Sequence, residues 1–340
     1  MVAAPVPARL TNTALLVLVA TALVTGTLAF GVGTTPAGRI VVVTHAVAGT
    51  ALLVLSPPKS SIVRRGLARQ RSSRGASIAL LVFVVVTLVS GFAHAAGLWR
   101  LGFGLTTMQV HVAAAIASAG LVVWHVIVRP QVPRPTDLSR RSALRGGGVL
   151  AAAGTVWLAT EGAFSIARTR GAARRFTGSH QIGTDEPGRM PVTQWFDDVV
   201  PDGSLEPLVA VRDARGARRV PMADIDAVGD RVRATLDCTG GWYATQDWWG
   251  AGLQRLVEAR PEDRSLVVTS VTGYQRRLPL AALPTLLLAT RIGGAPLSPG
   301  HGAPLRLVAP GRRGFWWVKW VAELRTDTAP PWQQPPFPLT

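Results

Sequence analysis

Five uninterrupted apolar stretches in the first half of the chain limit what this sequence can fold into. Each has about 17–25 residues, enough to cross about 30 Å of hydrocarbon as a helix that rises about 1.5 Å per residue. Only the fifth contains an acidic residue, Glu161, close to its end. A secretory signal peptide would explain the first stretch alone. The sequence therefore predicts an all-α bundle of about five transmembrane helices, at about 11–32, 39–55, 75–98, 105–128 and 143–167.

Positive charge is concentrated in the same half of the chain. The formal net charge is +17, and residues 1–167 carry 14 basic and 2 acidic side chains, which leaves +12. The second and fourth loops hold most of these cations, namely Lys59, Arg64, Arg65, Arg69, Arg71 and Arg74, then Arg129, Arg134, Arg140, Arg141 and Arg145. Basic loops remain in the cytoplasm. We therefore expect a multi-pass protein of a bacterial cell membrane, with everything after the fifth helix on the extracytoplasmic side.

The charge pattern also bears on partners and on export. A nucleic-acid-binding protein would carry its basic patch on a polar, folded surface, so no nucleic acid partner is expected. The segment 138–154, "LSRRSALRGGGVLAAAG", resembles a twin-arginine export signal embedded in the chain. The alternative is a plain basic flank of the fifth helix. We divide the chain into a four-helix membrane domain (1–130), a linker with this segment and the fifth helix (131–175), and a soluble domain (176–340).

Four of the six histidines lie in or beside the apolar stretches, at His45, His94, His111 and His125. Ionisable side chains inside a membrane are costly and usually functional, and imidazole is an axial ligand of haem. The predicted orientation brings the first three toward the outer face, where two of them would hold one haem b. His125 lies about 21 Å deeper than His111 without a histidine at its depth, so a second haem is less favoured. Helix-bridging histidines without a cofactor are the alternative.

The last 165 residues have a different composition, with short runs in which apolar and polar residues alternate, as is typical of strands. Strands are predicted at 207–213, 231–237, 264–271, 304–310 and 316–324, and a helical stretch at 278–290 that contains Pro284. The expected fold of this region is a mixed α+β, β-rich domain that is large enough for its own core.

The only cysteine of the chain lies in this domain, within "TLDCTGGWYATQDWWG" (235–250). A strand that ends in Asp237-Cys238 before two glycines resembles the cysteine-bearing loop of the sulfite-oxidase family of molybdenum enzymes. By that resemblance, the Cys238 thiolate would be the catalytic metal ligand and bind molybdenum beside the dithiolene of molybdopterin. A soft thiolate suits such a metal, and the glycines would let the backbone pass close to a bulky cofactor. A buried structural cysteine is the alternative.

Two further motifs resemble the same family. The segment 301–324, "HGAPLRLVAPGRRGFWWVKWVAEL", is similar to its His-Gly-x-Pro-x-Arg … Val-Lys-Trp signature, and "RFTGSHQIG" (175–183) to a histidine-bearing segment on the pterin. The resemblance implies that His301 and Arg306 contact the pterin and its phosphate. A buried phosphate needs such cations. The other implied cofactor contacts are Trp317, Val318 and Lys319, and Thr177, Gly178, Ser179 and His180.

The departures from the family pattern concern the substrate. Gly178 replaces one arginine of the family, the segment Gly241-Trp242-Tyr243 replaces another, and Phe337 takes the place of a tyrosine. A pocket without these groups is more aromatic and less cationic, so sulfite is not the expected substrate. The candidate aromatic walls of the pocket are Trp242, Tyr243, Trp248 and Trp249. The chain also ends at Thr340, so no immunoglobulin-like dimerisation domain is expected.

The resemblance implies a membrane-anchored molybdenum-cofactor oxidoreductase. It would transfer an oxo group or electrons on a small-molecule substrate at a Cys238-ligated molybdenum and exchange electrons with the membrane domain or a quinone. The sequence leaves the direction of the reaction open. The alternative function is a b-type cytochrome membrane module whose outer domain is degenerate, metal-free and docks a partner.

Overall fold

The computed structural model describes residues 8–31, 35–57, 59–60, 74–100, 104–128, 130, 139–194, 198–202 and 205–335. The chain divides into two compact units, one formed by Met1–Phe30 with Pro36–His180, the other by Gly31–Thr35 with Gln181–Thr340. Several residues of the sequence analysis lie outside the described residues, namely Arg64, Arg65, Arg69, Arg71, Arg129, Arg134 and Phe337.

The first unit contains the five predicted long helices. They are α1 (Ala8–Gly31), α2 (Pro36–Val54), α3 (Arg74–Ala96), α4 (Thr107–Val128) and α5 (Arg140–Ile166). All five are long and apolar enough to cross a membrane. The five predicted helices are therefore confirmed, with ends that differ by a few residues. The Arg140-Arg141 pair opens α5, where the Ser139 hydroxyl accepts a hydrogen bond from Ser142 N at 3.2 Å and so caps the helix.

The outward faces of these helices are apolar. Between 6% and 17% of the most apolar 18 residues of each helix are buried, and Ile116 and Ile127 on α4 are 68% and 72% exposed. Hydroxyl side chains bond back to their own helix, as where Thr87 Oγ1 donates to Phe83 O at 2.8 Å. Surfaces of this kind suit hydrocarbon, where each polar group needs a partner within the protein.

Small residues bring the helices into contact. Ala48 and Ala51 of α2 and Ala153 of α5 are buried with Leu18 of α1 in one cluster. Alanines let backbones approach closely, which is how helices associate in lipid. Glu161, the one acidic residue of the five spans, pairs with Arg174, so its charge is neutralised within the same unit.

The second unit is built on two sheets. Its strands are β1 (His180–Gln181), β2 (Leu208–Asp213), β3 (Gly216–Pro221), β4 (Asp230–Cys238), β5 (Trp242–Gly252), β6 (Ser265–Ser270), β7 (Gln275–Pro279), β8 (Leu287–Ile292), β9 (Ala295–Pro296), β10 (Arg306–Val308) and β11 (Val321–Asp327). One sheet has the order β1-β5-β8-β10, with β4 on β5 and β9 on β8; the other has the order β3-β2-β11-β6-β7. Two short helices, α6 (Met222–Val228) and α7 (Leu253–Leu256), complete the mixed α+β domain.

Strand β5 lies at the centre of the first sheet, and its burial alternates. Trp242, Ala244, Gln246 and Trp248 are buried on one face, the two-residue period expected of a strand. Gly250 faces β8 so closely that a Cβ there would lie 2.0 Å from Leu288 O. Only glycine therefore allows this strand pairing.

Two secondary-structure predictions were wrong. The predicted helical stretch 278–290 forms a 3₁₀ turn, Leu280–Thr285, followed by β8. Pro284 prevents a longer helix, and the apolar run after it is a strand buried between β5 and β10. The predicted strand 316–324 begins only at Val321, because Gly314–Trp316 is a 3₁₀ turn and Trp320 adopts a φ of 49°.

Asp213 at the end of β2 stabilises the domain away from the predicted site. Burial alone would raise its pKa, but hydrogen bonds from Arg218 and from the backbone N–H groups of Glu258 and Arg215 lower the pKa to about 2. Because the folded pKa lies below the unfolded value, this carboxylate stabilises the fold above about pH 4, and the contribution is lost as the pH falls through about 2.

We expect Asp213→Asn to reduce the free energy of unfolding by about 2 kcal/mol at neutral pH, and the difference from wild type to shrink between about pH 4 and pH 2. Urea unfolding of the full chain in detergent measures it through tryptophan fluorescence, since eight of the 11 tryptophans follow residue 180. Asp202→Asn, at an exposed position, is the control. A difference that does not change with pH would contradict this account of Asp213.

Candidate cofactor site

The predicted metal ligand, Cys238, is the last residue of β4 and lies at the start of a tight hairpin. Cys238 pairs with Trp242 on β5, and Gly241 N donates to Cys238 O at 3.2 Å. Gly241 has a φ of 90°, which glycine adopts without strain. The second glycine therefore closes the turn that presents Cys238.

Two hydrogen-bonding groups contact the Cys238 sulfur. Gly240 N donates to Sγ at 3.3 Å, and Thr193 Oγ1 lies 3.3 Å from Sγ on the other side. The side chain is half-buried and forms no disulfide. The thiol is thus held in a polar cleft rather than in apolar packing, which supports the ligand hypothesis over a structural cysteine.

A buried ion pair fixes the backbone beside this sulfur. Arg313 Nη1 donates to Asp237 Oδ1 at 2.6 Å, with both side chains at most 5% exposed. Arg313 Nη2 also reaches Cys238 O at 3.3 Å. A Cβ on the next residue, Gly314, would lie 3.1 Å from Cys238 Cα. Arg313 and Gly314 therefore hold the cysteine loop against the 301–324 segment, a role that the sequence analysis missed.

The 301–324 segment supplies cations to the same pocket as Cys238. His301, Arg306 and Lys319 all line it. Arg306 Nη1 donates to His301 O at 2.9 Å, and the guanidinium lies 5.5 Å and 5.8 Å from the ring centres of Trp248 and Trp317. The motif that resembled the family signature thus brings these three residues together in one cleft with Cys238, and their contact with a pterin stays a prediction.

Gly302 makes this arrangement possible. Its φ is 105°, and a Cβ there would lie 3.2 Å from the Cβ atoms of both Arg306 and Lys319. The glycine of the His-Gly pair is therefore required both by its backbone conformation and by the close approach of the two cationic residues.

The cations of the pocket are poorly solvated. Burial lowers the pKa of Arg306 to about 10, an effect that the nearby Cys238 opposes. Burial and then the Arg306 charge lower the pKa of Lys319 to about 7. Burial, followed by Arg306 and Lys319, lowers the pKa of His301 to about 4. An anionic group bound here would relieve this cost, since it would pair with charges that have lost their water.

Unpaired donors also point to a ligand. Arg306 Nε and Trp242 Nε1 are buried and make no hydrogen bond to any of the described residues. Both residues line the pocket with Cys238. Buried donors are rarely left without an acceptor, so the pocket has the donors, the charge and the sulfur ligand that a phosphate-bearing, sulfur-ligated metal cofactor needs.

Only some of the other residues that line the pocket were named in the sequence analysis. Trp317 lines the pocket, whereas Val318 is buried and its carbonyl accepts from Leu307 N at 2.8 Å. Of the four candidate aromatic walls, Trp242 lines the pocket and Trp248 lies in the core beside Trp317. The sequence analysis missed the other lining residues Pro191, Thr193, Gln194, Asp198, Leu236, Thr239, Tyr274, Gly314 and Phe315. Leu236, Thr239, Gly314 and Phe315 lie within the quoted motifs, whereas no motif marks the others, which come from segments far apart in the chain.

The segment 177–180 is the end of the first unit, its last residue is also the first of β1, and it contacts His94. His94 Nε2 donates to Gly178 O at 2.8 Å, and His180 Nε2 donates to His94 O at 2.8 Å. Thr177 and Ser179 lie in the same turn. The predicted contact of these four residues with a pterin stays a prediction.

The four histidines of the long helices differ in their contacts. His45 of α2 and His111 of α4 have ring centres 6.0 Å apart. His45 Nδ1 donates to Ala22 O at 2.9 Å and His111 Nδ1 to Thr87 O at 2.8 Å, so the Nε2 atom of each neutral ring carries the lone pair. His94 instead has hydrogen bonds at both ring nitrogens, to Thr107 Oγ1 and Gly178 O. His125 lies in the last turn of α4.

The second unit thus has the features of one class of protein, a β-rich domain whose cationic pocket would hold an anionic cofactor beside a cysteine. The comparisons with known proteins support this class. Residues 212–334 match the model of the oxidoreductase molybdopterin binding domain. These residues therefore match the type of domain that the sequence resemblance to the sulfite-oxidase family predicted.

Individual relatives match over part of their length. The chain is 32% identical to the protein-methionine-sulfoxide reductase catalytic subunit MsrP of Xanthomonas campestris pv. campestris, over 26% of this chain and 34% of that protein. It is 31% identical to MsrP of Xanthomonas axonopodis pv. citri with the same coverage. The sulfane dehydrogenase SoxCD of Paracoccus pantotrophus is a solved structure with a TM-score of 0.34 and 22% identity, over 36% of this chain and 38% of that one. The chain thus spans about a third of the curated relatives' length.

We expect Gly302→Ala to lower the free energy of unfolding by about 1–3 kcal/mol more than Gly273→Ala does. Both glycines have a positive φ, but a Cβ at Gly273 meets nothing within 4 Å, so the difference isolates the crowding of Arg306 and Lys319. Urea unfolding and the molybdenum content of the purified full chain measure the two effects. Equal losses in both variants would show that the close approach at Gly302 is not required.

Proposed function

We propose that this protein is a membrane-anchored molybdenum-cofactor oxidoreductase that reduces a sulfoxide to a thioether on the extracytoplasmic side of a bacterial membrane. The observation that carries the proposal is the convergence of Cys238, His301, Arg306 and Lys319 on one cleft. When bound, the cofactor would supply two-electron oxo-transfer chemistry. The balanced reaction consumes one sulfoxide, two electrons and two protons and yields one thioether and one water.

A neutral sulfoxide suits the walls of this pocket better than sulfite. Trp242, Tyr274 and Phe315 give it apolar surface, and Asp198 places a carboxylate near Lys319. A doubly charged oxyanion would meet that carboxylate, whereas a sulfoxide carries no net charge. The curated relatives are named protein-methionine-sulfoxide reductases, which supports the same direction and a methionine sulfoxide as the substrate.

The residues of the pocket take distinct roles in this proposal. Cys238 provides the thiolate ligand, which Gly240 N orients. Arg306 offers its unpaired Nε to an anionic oxygen of the cofactor, and Trp242 offers its indole N–H. Lys319 donates to Thr193 O at 2.9 Å and Gly300 O at 2.7 Å, so it joins two walls of the cleft, and its charge would pair with an anionic group of the cofactor.

We expect Cys238→Ser to abolish turnover of methionine sulfoxide while the fold is kept, because a hydroxyl is a poor ligand for a soft, sulfur-ligated metal. Turnover with a reduced dye as electron donor, together with molybdenum quantification, measures the effect. Thr285→Ser, in an exposed 3₁₀ turn, is the control. A wild-type protein without molybdenum, from a host that makes the cofactor, would favour a degenerate docking domain instead.

The membrane unit is the proposed electron partner, with one haem b between His45 and His111. These two histidines, whose ring centres lie 6.0 Å apart, would hold the haem through their imidazoles. Backbone hydrogen bonds at both Nδ1 atoms would fix the rings, as is usual for metal-binding histidines. Fusion of the two units in one chain raises their effective concentration. A quinone is the proposed external donor.

We expect His45→Ala and His111→Ala each to lose the haem from the purified protein. His94→Gln is the matched control, because glutamine can keep a hydrogen bond to Gly178 O while the haem ligands are untouched. The reduced-minus-oxidised absorption spectrum and the iron content report the result. Loss of haem in His94→Gln, with retention in His111→Ala, would assign the ligand pair differently.

A further inference from the structure

Thr193 contacts the Cys238 sulfur from outside every motif of the sequence. Its Oγ1 lies 3.3 Å from Sγ, 45 residues away along the chain. Gly240 N, which also lies 3.3 Å from Sγ, belongs to the cysteine loop itself. Thr193 therefore reaches this sulfur from a segment that is distant in sequence, whereas Gly240 belongs to the loop itself.

The direction of the Thr193 hydrogen bond follows from the chemistry of the sulfur. A cysteine that binds a metal does so as a thiolate, which has no proton to donate. The hydroxyl of Thr193 must then be the donor, and Gly240 N–H is a second donor to the same atom. Two donors on one thiolate fix the position of its lone pairs and withdraw electron density from it.

The position of Thr193 is itself held by the pocket. Lys319 Nζ donates to Thr193 O at 2.9 Å and to Gly300 O at 2.7 Å, which joins two separate segments. A Cβ on Gly300 would lie 2.8 Å from both methyl groups of Val192, so the glycine lets the residue before Thr193 pack closely. The hydrogen bonds of Lys319 and the close contact between Gly300 and Val192 thus fix the position of Thr193 beside the sulfur.

We propose that Thr193 is a positioning residue that orients the Cys238 thiolate and sets the reduction potential of the metal bound to it. This inference rests on the proposed function. A hydrogen bond to a ligating sulfur lowers electron donation to the metal and so favours its reduced state. Reduction of the metal at an accessible potential is what a sulfoxide reductase needs from its electron donor.

The test compares three variants of the full-length, molybdenum-loaded protein. Thr193→Val keeps the shape but removes the donor, Thr193→Ser keeps the donor, and Thr285→Val is a remote control. In Thr193→Val we expect the thiolate-to-molybdenum charge-transfer band to shift to lower energy and the midpoint potential to fall. Turnover should drop about tenfold or more. Thr193→Ser should behave as wild type in all three measurements.

The spectroscopic readouts separate this role from a structural one. A band and potential in Thr193→Val equal to wild type would overturn the inference, as would a Thr193→Ser variant shifted as far as Thr193→Val. If Thr193→Val does not load molybdenum, Thr193→Ala and Thr193→Ser form the deciding pair, with the shift expected only in alanine. Wild-type protein without molybdenum would overturn the proposed function and this inference together, whereas a loaded protein with unchanged variants overturns the inference alone.

Discussion

Positive charge buried next to a thiol is the constraint on which the second unit depends. Arg306 is 3% exposed and Lys319 is held by two carbonyls, so both cations have exchanged water for weaker partners. Such an arrangement costs free energy unless an anion completes it. Three features hold the buried cations and the cysteine in one geometry. They are the close approach at Gly302, the hydrogen bonds of Lys319 to two carbonyls, and the Arg313–Asp237 ion pair. The domain is in this sense built for a cofactor that its own residues do not replace.

The sequence predicted the outline of the fold well because the signals for membrane helices are strong and local. A run of about 20 apolar residues has few alternatives to a spanning helix, and all five were found with ends close to those observed. The strand predictions were weaker. The apolar run that became β8 could not be distinguished from a helix by periodicity, because it is buried on both faces and does not alternate.

The sequence predicted part of the site for a different reason. His301, Arg306 and Lys319 were found because they share one contiguous motif, and Cys238 because it is the only cysteine. Thr193, Asp198 and Tyr274 reach the same pocket from other segments, and nothing in their local sequence marks them. Among the histidines, the sequence left three candidates for a haem. The proposal of His45 and His111 as the haem ligands rests on the hydrogen bonds of their ring nitrogens and on helix packing, which only the structure provides.

The Arg313–Asp237 pair has a consequence for the maturation of the enzyme. These two residues are 76 positions apart, so the cysteine loop takes its final shape only after most of the domain's chain has been made and has closed on itself. A cofactor that binds Cys238, as proposed, would therefore be inserted into an almost complete domain, since a chain truncated before Arg313 lacks the side chain that fixes the cysteine loop.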